Sequence, residues 1–173
     1  RRDVLRYEDK FDIQIAQNVS EEALEPFYKL YLNVKKHSYI INTFTLPYKA
    51  FQSMNEDKGW EMIVLSLKEG EYLEKDEKLP VGVIFAYKTK QNYIPLLIGL
   101  NYDYKYSHKN YKQAVYQVAK RASELNAKKV YFGITATVEK RRIGANAIPK
   151  HVFVQLQDTF NMDVLQMAGV GEL

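Results

Sequence analysis

The residues from Asn101 to Tyr111, Asn-Tyr-Asp-Tyr-Lys-Tyr-Ser-His-Lys-Asn-Tyr, hold the chain's densest set of side chains that can do chemistry. They include a carboxylate at Asp103, cations at Lys105 and Lys109, a hydroxyl at Ser107 and an imidazole at His108. A strand-like run precedes them and a helix-like repeat follows, so the segment leads from a strand into a helix start. A helix N-terminus carries backbone N–H groups without intrahelical acceptors and a partial positive charge. Phosphate oxygens accept from such groups, and Lys105, His108 and Lys109 can add charge. The chemistry this favours is the holding of a phosphorylated ligand. The plainer alternative is that Ser107 caps the helix and the lysines are solvated. Tyr102, Tyr104, Tyr106 and Tyr111 either line a strand end and a pocket or offer faces on which bases stack.

The charge distribution supports an anionic ligand. Between Asp103 and His151 there are 11 lysines and arginines against 3 carboxylates, a net of +8, in a chain whose total is +4. Such a segment attracts phosphates of a cofactor or a nucleic acid, or is a solvated basic helix face. Lys140, Arg141 and Arg142 form a basic triplet within it, of which the two arginines are expected to face solvent.

Other chemistries find no support. The chain has no cysteine, which excludes disulfides, thiolate metal sites and a cysteine nucleophile, and suits a reducing cytoplasm. Three scattered histidines give no metal spacing, so no metal is expected, and no Ser/His/Asp or paired-carboxylate pattern stands out. The apolar runs are too short for a bilayer, so no membrane partner is expected. The charged start has no apolar segment behind it and does not resemble a signal peptide. The chain begins with Arg1, not methionine, and reads as a piece of a longer protein whose other domains are potential partners. Its 173 residues suit one domain with one core, spanning residues 1–173.

The elements that must position these residues follow from periodicity. Phe11 to Ala16 alternates apolar and polar residues, a strand signal. Ser20 then precedes Glu21, Glu22 and Glu25, an N-cap followed by acids at the positive end of a helix. Leu24, Phe27, Leu30, Tyr31 and Val34 follow at helical spacing, and Lys35 and Lys36 close that helix. A loop with Pro47 leads to a short helix over 48–54. Strands are predicted over 60–67, 80–87 and 93–100, joined by a charged loop over 69–78 and a polar turn over 89–92. Tyr111, Val115, Val118, Ala119, Ala122 and Leu125 then repeat at helical spacing, and Asn126 is a plausible stop. A strand over 129–134 follows, parallel to its neighbour. A short helix over 139–144 and strands over 152–156 and 162–165 complete the reading. The result is an α/β (α+β) fold, a mixed, mostly antiparallel sheet with helices on both faces, in the order β-α-α-β-β-β-α-β-α-β-β.

That order resembles the GNAT acyltransferases over essentially the whole chain. The resemblance is sharpest at the 93–111 junction, and at Phe132-Gly133-Ile134-Thr135 followed by Glu139-Lys140-Arg141-Arg142-Ile143-Gly144-Ala145. The second segment looks like the Lys-x-x-x-Gly stretch of a branch that includes FemAB-like aminoacyltransferases and acyltransferase domains fused to pyridoxal-phosphate synthases. The resemblance implies an acyl-CoA-dependent N-acyltransferase, with acetyl-CoA or another acyl-CoA as co-substrate and an amine as acceptor. It also admits an accessory GNAT-like module of a larger enzyme, or a transferase that uses charged tRNA.

In such folds the central strands splay at this junction, and the cofactor's pyrophosphate meets the helix start. The cofactor residues implied are Gly99, Leu100, Lys105, Ser107, His108, Lys109, Asn110 and Tyr111. Gly99 marks either a close approach of the cofactor arm or a packing contact. Amine attack on a thioester needs a base, a polarised carbonyl and an acid. Asp103 and His108 are the candidate bases, Tyr131 and Tyr102 the candidate acids, and Lys140 corresponds to a lysine at the mouth of the acyl site. His37, between the first two helices, contacts the acceptor or is simply exposed. The chain departs from the usual pattern in one respect: it has no glycine between Asn101 and Phe132, where most relatives carry a glycine-rich phosphate loop.

Overall fold

The computed structural model describes residues 2–37, 44–73, 79–133 and 137–149. The elements are α1 (Arg2–Glu8), β1 (Phe11–Ala16), α2 (Glu21–His37), α3 (Tyr48–Glu56), β2 (Trp60–Leu67), β3 (Gly82–Lys88) and β4 (Asn92–Leu100). They continue with α4 (Tyr104–Ser107), α5 (Asn110–Glu124), β5 (Lys129–Val130) and α6 (Thr137–Arg142). The sheet order is β1-β2-β3-β4-β5. The first three pairings are antiparallel, and β4 pairs with β5 in parallel.

Alternation along β2 and β3 divides the core into two layers, because successive strand side chains point to opposite faces. Ile63, Leu65, Ile84 and Ala86 meet Ala114, Val118 and Ala122 of α5 on one face. Met62, Val64, Val83 and Phe85 meet Leu24, Phe27 and Tyr31 of α2 and Phe51 of α3 on the other. Both strands are therefore buried on both sides and read as nearly continuous apolar runs. The mixed sheet covered on both faces matches the expected fold class.

The boundaries differ in instructive places. α1 was not expected. It is seven residues long, too short to be stable alone, and it is held against α5 by polar contacts that leave no apolar pattern. Gln113 Nε2 donates to the Val4 carbonyl, and Lys120 Nζ (3.0 Å) and Gln117 Nε2 (3.4 Å) reach Glu8 Oε1. α4, a single turn, was also not expected. The long helix starts at Asn110, and Asn126 ends it in the left-handed conformation (φ 53°), as its side chain allows. β5 covers only two of the residues expected, although the Tyr131 amide continues the ladder with a 3.0 Å bond to the Tyr93 carbonyl. The strands expected over 152–156 and 162–165, and Ile134 and Thr135, lie outside the described residues.

Candidate functional site

Two features of β4 set the geometry. The first is its short pairing with β5. The strands share the pairs Asn92↔Lys129 and Tyr93↔Val130. Among the described residues, no strand pairs with the rest of β4 on that side. The second is a bulge. Phe85 is opposite Leu97 and Ala86 is opposite Pro95, which leaves Leu96 as the extra residue. Leu96 is 58% exposed. Bulges interrupt a ladder and re-aim its groups, and proline is tolerated in strands at such places because it has no N–H to donate. Sequence reasoning missed this bulge, although Pro95 inside an apolar run was its signal.

The C-terminal end of β4 turns through Asn101. Its amide donates to the Val81 carbonyl (3.0 Å), and its side-chain oxygen accepts from the Asp103 amide (3.0 Å). The single turn α4 follows, then Lys109 at φ 56° and ψ 37°, then α5. Left-handed backbone costs a residue with a side chain roughly 1–2 kcal/mol. Lys109 thus adopts the conformation that glycine would adopt freely, which is how the chain makes this turn without one. No side chain caps α5 at Lys109. The expectation that Ser107 caps the helix is therefore corrected. Ser107 closes α4, and its hydroxyl lies 2.9 Å from His108 Nδ1 and 3.5 Å from the Asp103 carbonyl.

Cationic and aromatic groups surround this helix start. Lys105 Nζ sits 5.3 Å from the Tyr102 ring centre and 5.5 Å from that of Tyr106, and Lys109 Nζ sits 5.9 Å from Tyr106. These are cation–π distances. His37, at the end of α2, stacks on Tyr102 at 4.4 Å with a 24° tilt, and its Nδ1 lies 2.8 Å from the Asn33 carbonyl. Tyr111 is half-buried, and burial pushes its hydroxyl up to about 12, with the negative charge of Glu139 adding to the shift. α6 packs against α5 and brings Glu139 to this position. Lys140, one residue on, has its ammonium pulled below the usual lysine range by burial.

The expected site residues thus fall into three groups. Tyr102, Lys105, Lys109 and Tyr111 converge at the helix start. Asp103 is exposed beside them, in the turn before α4. Tyr131 is half-exposed beside Tyr93, at the far end of β4 and roughly 20 Å along the strand from the helix start.

Four residues face the interior. Gly99 is a packing glycine, because a side chain there would strike the backbone of α2. Leu100 is buried, and its carbonyl accepts from Asn33 Nδ2 (2.7 Å). Asn110 is fully buried, and its Nδ2 donates to the carbonyls of Asn101 (2.7 Å) and Val81 (3.1 Å). His108 is 8% exposed, and its Nε2 lies 3.1 Å from Glu71 Oε2. Its Nδ1 faces the Ser107 hydroxyl, so the buried ring is engaged within the protein and is not presented at the helix start. Among the described residues no cluster of potential metal ligands occurs, and no helix is long and apolar enough to cross a membrane.

No family model matches the sequence, and no curated protein does. Solved structures match well. An aminoglycoside acetyltransferase from an uncultured soil metagenomic sample, solved with sisomicin, aligns over 87% of this chain and 99% of its own at TM-score 0.62 and 12% identity. A ribosomal-protein-alanine N-acetyltransferase from Brucella melitensis biovar Abortus aligns over 84% and 99% at TM-score 0.58 and 12% identity. The aminoglycoside acetyltransferase AAC(6')-Iy, solved with a bisubstrate analogue of coenzyme A, aligns over 86% and 99% at TM-score 0.56 and 9% identity. Strand order and these alignments agree: the chain has the GNAT fold.

Proposed function

We propose that this chain is an acyl-CoA-dependent N-acyltransferase that moves an acyl group from a thioester to an amine. The observation that carries the reading is the uncapped start of α5, with Lys105 and Lys109 around it, at the end of a strand that, among the described residues, pairs with β5 only at Asn92 and Tyr93. Uncapped helix amides and two cations fit a pyrophosphate. The bulge with exposed Leu96 fits an extended amide-bearing arm that pairs with strand backbone. The co-substrate supplies the activated acyl group; the chain supplies orientation and charge. Lys105, Lys109 and the amides of Asn110 and Tyr111 hold the phosphates. Lys140, beside Glu139 and Tyr111, adds positive charge near the helix start; Asp103 there and Tyr131 at the far end of β4 lie too far apart to serve one reacting carbonyl, and Tyr131, on the acyl side, is the candidate acid. The acyl group is acetyl or larger, and a reducing compartment such as the cytoplasm suits the cysteine-free chain. The solved structures it resembles are acetyltransferases of aminoglycosides and a ribosomal protein, so kinship to the FemAB-like branch and use of charged tRNA gain no support.

Acyl-CoA at a hundred times its dissociation constant is expected to stabilise the fold by about 2.7 kcal/mol, a rise in melting temperature of roughly 5–10 °C. Lys109→Glu is expected to abolish the rise, since it reverses the charge nearest the helix start. Thermal scans with and without ligand check both. No shift at millimolar acyl-CoA would overturn the proposal and leave a non-catalytic GNAT-like module as the reading.

A further inference from the structure

The left-handed turn at Lys109 is unfavourable on its own, so neighbouring contacts must hold it. They come from the loop between β2 and β3, which lies over the α4–α5 junction. Glu71 Oε2 accepts from Lys10 Nζ at 2.6 Å and meets His108 Nε2 at 3.1 Å. His108 Nδ1 meets Ser107 Oγ at 2.9 Å. The His108 ring is wedged between Phe11 and Tyr104, with ring centres 6.4 and 5.3 Å away. Two residues on from Glu71, the Leu73 amide donates to the Tyr104 hydroxyl at 3.1 Å. On the other side of Lys109, Asn110 is tied to Val81 and Asn101. Lys109 therefore spans two anchored residues and does so in the left-handed conformation.

We propose that Glu71 and His108 are positioning residues for the helix-start site, a latch from the β2–β3 loop that holds the Lys109 turn and so aims the first amides of α5 outward. The proposal rests on the reading of that helix start as the phosphate site. It explains how a chain without loop glycines keeps the turn: side-chain bonds impose what glycine would permit.

The test uses the 173-residue chain. His108→Phe keeps a ring between Phe11 and Tyr104 and removes both polar bonds, whereas His108→Gln retains a donor towards Glu71. In the ligand-free protein, the Lys109 Cα chemical shift and hydrogen exchange at Asn110 and Tyr111 report the turn. Titration with coenzyme A reports the site. His108→Phe is expected to move the Lys109 shift away from left-handed values, speed exchange at Asn110 and Tyr111, and weaken coenzyme A about tenfold. His108→Gln is expected to stay within about threefold of the parent. Glu71→Ala, at a partly exposed position, removes the acceptor and supplies the same readouts if His108→Phe does not fold. An unchanged Lys109 signal in folded His108→Phe or Glu71→Ala would overturn the latch, as would unchanged affinity when that signal has moved. If the parent itself fails to bind coenzyme A, the phosphate-site reading falls, and the ligand-free signals still decide whether the latch sets the turn.

Discussion

Glu61→Ala is expected to cost about 3–5 kcal/mol of unfolding free energy, because it removes one partner of a buried ionic cluster. The Glu61 side chain, in the middle of the sheet, is wholly buried. Its Oε1 accepts from Arg121 Nε (2.8 Å) and the Tyr93 hydroxyl (2.9 Å). Its Oε2 accepts from Arg121 Nη2 (3.0 Å) and Lys88 Nζ (3.1 Å). The carboxylate is thus saturated, and it ties β2 to β3, β4 and α5. Alanine would leave the Tyr93 hydroxyl and the Nε and Nη2 of Arg121 facing the vacated space without their acceptor, while Arg121 Nη1 keeps Glu124 (3.2 Å). Urea denaturation checks the loss. A cycle with Arg121→Ala should show coupling above about 1.5 kcal/mol, and additive losses would mean that the pair does not act as a unit.

The same cluster fixes the sign of an acid effect. Burial pushes the Glu61 carboxyl up, but hydrogen bonds from Arg121, Lys88 and Tyr93, with the arginine's charge, outweigh it and hold the group below the usual carboxylate range. Hydrogen bonds from Lys10 and then His108 hold Glu71 low as well. A carboxyl lowered in the folded state contributes stability that is fully present above its unfolded value, about 4.3 for glutamate. That contribution fades as pH falls below this value through the folded one. Unfolding free energy should therefore drop more steeply below about pH 4.5 in the parent than in Glu61→Ala.

Gly99→Ala is expected to destabilise by about 3 kcal/mol, at the upper end of ordinary overpacking. A methyl there would lie 2.6 Å from the Tyr31 nitrogen, 2.7 Å from Leu30 Cβ and 2.8 Å from the Leu30 carbonyl carbon. These belong to the backbone and stem of α2 and cannot rotate away, so the helix must lift from β4. Lifting also stretches the Asn33–Leu100 bond and disturbs the stack of His37 on Tyr102. Both lie at the same end of β4 as the helix start, so weaker coenzyme A binding should accompany the loss of stability. A melting temperature within a degree of the parent would show that α2 does not pack on Gly99 this closely.

Much of the architecture was legible because it rests on local pattern. Alternation in β1, continuous apolar runs in β2 and β3, and helical spacing in α2 and α5 follow from periods of two and 3.6 residues. The Asn126 stop follows from a side chain that tolerates the left-handed region. α1 and α4 were not legible, since contacts with distant segments hold both, including Glu8 with Lys120 and the Tyr104 hydroxyl with Leu73.

The junction from Asn101 to Tyr111 shows where the sequence stops. By itself it determined that a strand runs into a helix start rich in lysine and tyrosine, with no glycine to ease the turn. Only the tertiary structure decided which of these side chains face outward. Lys105 and Lys109 stay at the surface around the helix start, while His108 and Asn110 turn inward to Glu71 and to the strand ends. Residue type cannot settle that division, because lysine, histidine and asparagine all bond equally well to solvent. It depends on an acceptor from a loop far off in sequence, and Glu71 arrives only when the chain has folded.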